Sequence, residues 1–404
     1  MTSSYHLEDK DKCNKNACAS TCNVPKLRFK GYNDEWKHFR LKDIVKIYDG
    51  THQTPNYIDD GIKFVSVENI GNLEGTNKYI SKVDYDKDFK IKPEINDILM
   101  TRIGDIGTPA IIDTKENYAY YVSLALLKAD QEILFPKFFV QRILSEPFQH
   151  ELWKRTLHVA FPKKINKNEI GECNVFICSK SEQEKIASFL TLIDKKIEKQ
   201  KKLVELLKKY KRGLLSAIFS QKLRFKDNNG NDYPAWEEKY IQDVCSITTG
   251  KGNTQDKEDN GVYPFYVRSP IVEKSNKYIF DGEAVLTVGD GVGTGKVFHY
   301  VNGKFNFHQR VYKMSNFLGI NGRYFYYYFS THFYDRVKRM TAKTSVDSVR
   351  MDMIAKMPIF IPTNEEQDKI INLLTNEENI FLKNENLLLL LNEYKKGLLQ
   401  QMFI

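Results

Sequence analysis

Residues 176–219, FICSKSEQEKIASFLTLIDKKIEKQKKLVELLKKYKRGLLSAIF, recur as residues 360–403, FIPTNEEQDKIINLLTNEENIFLKNENLLLLLNEYKKGLLQQMF. The two stretches align without a gap at a constant offset of 184, with 18 of 44 positions identical. A match of that length makes the chain two tandem copies of one unit, each a globular part followed by a long helix.

Within the first stretch the apolar residues fall at Ile186, Leu190, Ile193, Ile197, Val204, Leu207, Leu214 and Ile218. The second gives Ile370, Leu374, Phe381, Leu388, Leu391, Leu398 and Met402. Steps of four and three residues are a heptad seam, and about 40 residues at 1.5 Å each predict a rod of roughly 60 Å. The seam is interrupted at matched places, Gln200 with Asn384 and Lys211 with Lys395. A buried amide costs stability and fixes register, so antiparallel pairing is expected to set Gln200 against Asn384. Residues 181–220 carry 10 Lys/Arg and 5 Asp/Glu, and residues 364–404 carry 4 and 7, so unlike charge favours pairing of the two helices. Ser179-x-x-Glu182 and Thr363-x-x-Glu366 predict capping boxes at the helix starts. Gly213 and Gly397 stand in the last turns, where each costs about 1 kcal/mol, which points to close approach by another chain or to a helix break. The pairs Leu214-Leu215 and Leu398-Leu399 are expected to leave apolar surface that recruits partner helices.

The globular parts read as mixtures of short strands and helices. Strands are expected at Lys63–Val67, Asp97–Thr101, Ala110–Ile112 and Tyr120–Leu127, then at Tyr263–Val267, Ala284–Val288, Lys296–Tyr300 and Arg310–Met314. One helix follows in each, Pro136–Trp153 and Arg323–Met340. Leu27-Arg28-Phe29 with Trp36 opens the first copy, and Leu223-Arg224-Phe225 with Trp236 opens the second. The fold class is therefore α+β, two pseudo-repeated mixed domains each followed by a long helix, the helices pairing as an antiparallel coiled coil. The expected divisions are a polar, disordered tail at 1–23, domains at 24–178 and 223–362, and helices at 179–222 and 363–404. Asp227–Pro234 is turn-rich and reads as a linker.

The chain has 404 residues, 41% apolar and 28% charged, with a net charge of +9. That surplus suits a polyanion but also fits a plain lysine-rich surface. No run approaches 18 apolar residues and the N-terminus lacks an apolar core, so neither a membrane span nor a signal peptide is expected. Cys13, Cys18 and Cys22, with His6 nearby, fit none of the common zinc spacings.

Catalytic motifs are sparse. In Gly289–Lys296 (GDGVGTGK) a phosphate loop would need glycine where Asp290 stands and Ser or Thr where Val297 stands. Glu237-x-Lys239 lacks an acidic partner for nuclease chemistry. Polar and basic loops, by contrast, lie at corresponding places in both copies. The first offers His52, Gln53, Thr54 and Tyr57, then Arg102 and Thr108, then Lys163 and Lys164 with His158. The second offers Lys251, Asn253 and Thr254, then Lys296, then His308, Gln309 and Arg310, then Lys343 and Ser345. Arg, Lys, Asn and Gln read base edges while Ser, Thr and Lys hold phosphates, so these residues are the candidate DNA contacts. An internally duplicated chain suits a partner that is also two-sided, and duplex DNA is one.

Asn174-Val175-Phe176-Ile177, Glu182-Gln183-x-x-Ile186 and Tyr210-Lys211-Arg212-Gly213-Leu214-Leu215 resemble the central conserved region of type I restriction–modification specificity subunits. Pro358-Ile359-Phe360-Ile361-Pro362, Glu366-Gln367-x-x-Ile370 and Tyr394-Lys395-Lys396-Gly397-Leu398-Leu399 resemble their distal one. The resemblance spans residues 24–404; the tail matches nothing in it, and Cys178 stands where the second copy has Pro362. It implies two target recognition domains, each reading half of a bipartite site, with the coil as ruler. It implies no active site and no cofactor on this chain. Two modification subunits would carry S-adenosylmethionine, and restriction subunits reached through them would use ATP and magnesium, all in the cytoplasm. A coiled-coil scaffold binding protein or RNA is the alternative reading, and a self-contained methyltransferase or nuclease would need motifs that are missing.

Overall fold

A computed structural model describes the backbone of residues 7–9 and all of residues 23–291, 293–340 and 348–404. Two compact units emerge, residues 1–201 with 386–404 and residues 202–385. Both boundaries fall inside long helices, which run Lys180–Phe219 and Asn364–Met402. Each unit thus holds the head of one helix and the tail of the other.

In the first unit Ile186, Ala187, Leu190 and Ile193 share a core with Leu398, Leu399, Met402 and Phe403. In the second, Leu214, Ile218 and Phe219 share one with Ile370 and Leu374. Head packs on tail in both, so the helices are antiparallel. The heptad seam holds throughout: every apolar position named above is buried or half-buried, and so are Gln200, Lys211, Asn384 and Lys395. The two seam lysines are satisfied rather than stranded. Lys395 Nζ lies 2.5 Å from Asp194 in the first unit, and Lys211 Nζ lies 2.7 Å from Glu378 in the second. Asp194 and Glu378 stand at the same 184 offset as the lysines, so one ion pair is made twice, once in each unit.

The expected capping boxes are corrected. Ser179 and Thr363 do precede the helices, and Thr363 Oγ1 accepts the Glu366 N–H at 3.4 Å. The glutamates do not fold back on the caps. Glu182 is fully buried and accepts both Nε and Nη2 of Arg28 at 2.7 Å. Glu366 takes Arg224 in the same fork and also the Trp236 indole N–H at 3.0 Å. A bidentate guanidinium–carboxylate pair is the arrangement that lets both charges be buried. The neighbouring glutamines staple the loop before the next helix: Gln183 Oε1 accepts from Phe135 N, and Gln367 Oε1 accepts from Asn321 N, both at 2.8 Å. The Glu-Gln doublet therefore locks each globular part onto the start of its helix.

The sheets repeat as well. Lys37–Arg40 pairs with Asn174–Ile177, as Glu237–Tyr240 pairs with Pro358–Ile361. The first unit has a four-stranded antiparallel sheet in the order Val45–Asp49, Leu124–Ala129, Ile98–Thr101, Pro109–Ile111. A three-stranded sheet beside it pairs Ile62–Val65 in parallel with Tyr118–Tyr120. In the second unit one six-stranded sheet, in the order Ser246–Thr249, Val311–Ser315, Phe280–Val288, Phe298–Phe307, Tyr263–Tyr266, Val272–Ser275, plays both parts; its parallel pair is Tyr263–Tyr266 with Phe298–Phe307.

Two expectations shift. The single helix Pro136–Trp153 is two, Pro136–Leu144 and Glu146–Lys154, broken at Ser145, because Pro147 lacks the N–H that would continue the first and fits the first turn of a new one. In the tail, Leu7–Asp9 pairs antiparallel with Leu27–Phe29, so these three residues are in a strand; Cys13, Cys18, Cys22 and His6 lie outside the described residues.

Candidate nucleic-acid interface

In each unit a strand end turns sharply at a glycine that nothing larger could replace. A Cβ on Gly50 would meet the Tyr120 carbonyl at 2.4 Å, and one on Gly250 the Phe307 carbonyl at 2.1 Å. These close approaches place the following loop, residues 51–57 or 251–256, against the end of a neighbouring strand.

In the first unit Thr51 N donates to Tyr120 O and Val122 N to Thr51 O. Arg102 N donates to Ser123 O, Gly104 N to Lys163 O and Ile165 N to Arg102 O. The three loops expected from sequence therefore meet along one edge. His52, Gln53, Thr54, Tyr57, Lys163 and Lys164 are exposed there. The Thr108 hydroxyl is half-buried and donates to Asp105 at 2.7 Å. Arg102 is corrected: it is buried, ion-paired to Asp49, and its Nε donates to Ile165 O at 3.1 Å. Burial lowers its pKa from the usual guanidinium value. Its role is to tie the loop ends together, and a guanidinium committed on two sides does not reach a base. Sequence reasoning missed the tip of the third loop. Val159 and Phe161 are fully exposed between His158 and Lys163, an unusual place for apolar side chains.

The second unit assembles its loops in the same way. Gln309 N donates to Gly252 O, Gly289 N to Arg310 O and Val349 N to Gly289 O. Lys251, Asn253, Thr254, Lys296, Gln309 and Arg310 are exposed, and Gln309 Nε2 donates to Asn253 Oδ1 at 2.8 Å. Lys296 sits 5.0 Å over the Tyr334 ring. His308 is corrected: it is buried, and its Nδ1 accepts the Arg310 N–H at 3.0 Å. Burial first, then Arg268, holds its imidazole below the ordinary value, so it stays neutral and shapes the turn. Lys343 and Ser345 lie outside the described residues. Arg268, which no sequence pattern singled out, joins the cluster through Asp290.

Among the described residues no group of three His, Cys, Asp or Glu could hold a metal ion. Cys173 and Cys245 are buried thiols, each pushed up to about 12 by burial. No described helix is long and apolar enough to cross a membrane.

A sequence model of the type I restriction modification DNA specificity domain matches residues 33–208 and again residues 234–391. The chain belongs to this family. The two matches fall on the two copies read from the repeat. Among curated relatives, the chain is 25% identical over 171 residues to the type I restriction enzyme EcoDI specificity subunit of Escherichia coli, covering 41% of this chain and 37% of that one. It is also 25% identical over 255 residues to the putative type I restriction enzyme MjaX specificity subunit of Methanocaldococcus jannaschii, covering 57% and 59%. The matched stretches thus span less than two thirds of either relative. In fold, the chain is similar to the S subunit of a type I restriction–modification system from M. genitalium, with a TM-score of 0.65 and 15% identity over 94% of this chain and 99% of that one. A chain from a structure of type I R-M complex assembly gives a TM-score of 0.56 at 13% identity, over 91% and 97%.

On the long helices, the leftover apolar surface is not where sequence reasoning put it. Leu214, Leu398 and Leu399 are buried in their own cores. Instead Leu203, Leu206 and Tyr210 are exposed on the first helix, and Leu387, Leu390 and Tyr394, their equivalents at the 184 offset, on the second. Gly213 and Gly397 extend these two stripes by one more step. Both helices run unbroken through the glycines, and a Cβ at either would meet nothing within 4 Å.

Proposed function

We propose that this chain is the non-catalytic DNA-specificity subunit of a type I restriction–modification complex. Its two units read the two halves of a bipartite duplex target, and its helices set the spacing. The observation that carries this reading is the duplicated edge of loops. The first unit brings exposed His52, Gln53, Thr54, Lys163 and Lys164 together on hydrogen-bonded strand ends, the second brings Lys251, Asn253, Thr254, Gln309 and Arg310, and the two sets differ in sequence while the strand ends that hold them correspond. Base edges are read by such side chains and phosphates are held by the lysines.

Two equivalent apolar stripes with a glycine in each support two copies of one partner, the modification subunits, whose helices would cover Leu203, Leu206 and Tyr210 on one side and Leu387, Leu390 and Tyr394 on the other. S-adenosylmethionine belongs to those partners, and ATP with magnesium to restriction subunits reached through them, working in the cytoplasm. Gln200 and Asn384 are assigned to register in the coil.

The test is an exchange of residues 37–170 for the same region of another specificity subunit, followed by methylome sequencing of cells that also carry the modification subunit. One half of the methylated site should change and the other stay. A change in both halves, or DNA affinity independent of salt, would reject the reading.

A further inference from the structure

Three strand ends of the second unit converge on one carboxylate. Arg268 follows the strand Tyr263–Tyr266, Arg310 precedes Val311–Ser315, and Asp290 follows Phe280–Val288. Arg268 Nη1 stands 3.7 Å from Asp290 Oδ1, and Arg310 Nε stands 3.6 Å from Oδ2. Both guanidinium groups are well exposed, with side-chain accessibilities of 50% and 64%, against 26% for Asp290. The Oδ1 atom itself is buried and accepts no hydrogen bond from the described residues. The carboxylate therefore lies behind the arginines, close enough to attract both and hydrogen-bonded to neither.

A carboxylate on a face that meets a polyanion is unfavourable unless it serves something. Here it offsets the repulsion of two adjacent cations and draws them to one point. Arg310 turns its Nε toward Asp290, which leaves the Nη1–Nη2 edge of the fork free. The backbone around the cluster is held firmly. Asp290 bridges to Ser348, Gly289 N donates to Arg310 O, and the Arg268 carbonyl lies 3.1 Å from where a Cβ on Gly293 would be.

We propose that Arg268 and Arg310 read guanine in the half-site met by the second unit, and that Asp290 is the residue that positions them. The proposal rests on the DNA-specificity reading and goes beyond it by naming a base. The exposed guanidinium groups, both drawn toward Asp290 and with the Nη1–Nη2 edge of Arg310 turned away from it, match the O6 and N7 acceptors that guanine presents in the major groove. Phosphate would be held equally by the same forks, but phosphate carries no sequence, and that difference decides the test.

The experiment uses the full chain assembled with its modification subunits, on a duplex carrying the site found by methylome sequencing. Each guanine of the second half is replaced in turn by 7-deazaguanine, which lacks the N7 acceptor, and affinity is measured by competition at fixed salt. At one or two positions the replacement should weaken the wild-type complex by about 5- to 100-fold. Arg268→Lys and Arg310→Lys, which keep charge and lose the fork, should bind the natural site more weakly and no longer respond to 7-deazaguanine at the matching position. Asp290→Asn should keep its melting temperature and its affinity for unrelated duplex while losing most of the guanine discrimination. A second half without guanine, indifference of the wild type to 7-deazaguanine, or arginine variants that weaken specific and unrelated duplex equally would overturn the inference and leave the specificity reading standing. A wild-type complex with no sequence preference at all would overturn both.

Discussion

The duplicated ion pair at the helix starts shows how much depends on a single side chain. Glu182 is fully buried and its partner Arg28 nearly so, at 6% exposed, whereas Arg224 keeps 24% of its side chain in solvent opposite an equally buried Glu366. Removing one partner of a buried pair leaves an uncompensated charge, at a cost of about 3–5 kcal/mol. Glu182→Ala should approach that cost, and Glu366→Ala should fall below it because water reaches Arg224; urea melts of the two variants check the order. Glu151 gives the corresponding prediction in pH. Burial opposes its ionisation, but the N–H groups of Asn174 and the ammonium of Lys154 more than offset this and hold the carboxyl down to about 2, against an ordinary 4.5. A folded value below the unfolded one adds stability that is complete above pH 4.5 and disappears as pH falls toward 2. Glu151→Gln should flatten acid unfolding in that window, by on the order of 2 kcal/mol. The residue types at these sites were legible in the sequence while their uses were not. Ser179-x-x-Glu182 has the spacing of a capping box, and only the tertiary fold, which brings Arg28 from 154 residues away, diverts the glutamate. Arg102 and His308 looked like surface contacts for the same reason: loop composition does not report burial. Arg268 and Phe161 went unnoticed because a single basic or apolar residue in a loop carries no pattern until its neighbours are known.

At the level of elements, the long helices were the most legible part of the chain. A seam of period 3.5 is a property of sequence alone, and its polar members were found at the right positions, although the partners of Lys211 and Lys395 were not foreseen. Helix ends and strands inside the globular parts were less so, since Pro147 splits one expected helix and several strands extend beyond their β-branched runs. The glycines in the seam helices lead to a prediction with opposite signs in two assays. Gly213 lies in open space within an unbroken helix, so alanine there should stabilise the isolated chain by about 0.5–1 kcal/mol. If the stripe Leu203, Leu206, Tyr210 and Gly213 is covered by a modification subunit, the added methyl obstructs that approach. Gly213→Ala should raise the melting temperature while lowering occupancy of one partner, seen by mass photometry as a complex with a single modification subunit. Gly397→Ala should do the same to the other. Higher stability with undisturbed assembly would remove the glycines from the docking surface and leave their presence unexplained.

For the whole molecule, the proposed role of the helices is that of a spacer, and their length can be altered by a known step. Four residues inserted near Gln200 add about 6 Å of rise and about 40° of rotation beyond a full turn, from 1.5 Å and 3.6 residues per turn. One base pair of B-DNA adds about 3.4 Å and roughly 34–36°. The rotational match is to one added base pair, and the rise lies between one and two. A four-residue insertion in a heptad is a stutter that the coil absorbs by local unwinding, so the seam beyond it keeps its apolar positions. The inserted chain is therefore expected to methylate a site with both half-sites unchanged and the spacer longer by one or two base pairs. Two inserted residues rotate the helix by about 200°, which turns the seam outward, and should abolish modification altogether. Methylome sequencing of the two variants separates the ruler from its alternatives. If the four-residue variant keeps the original spacer, the helices do not set it, and the distance between half-sites must be determined by the modification subunits instead.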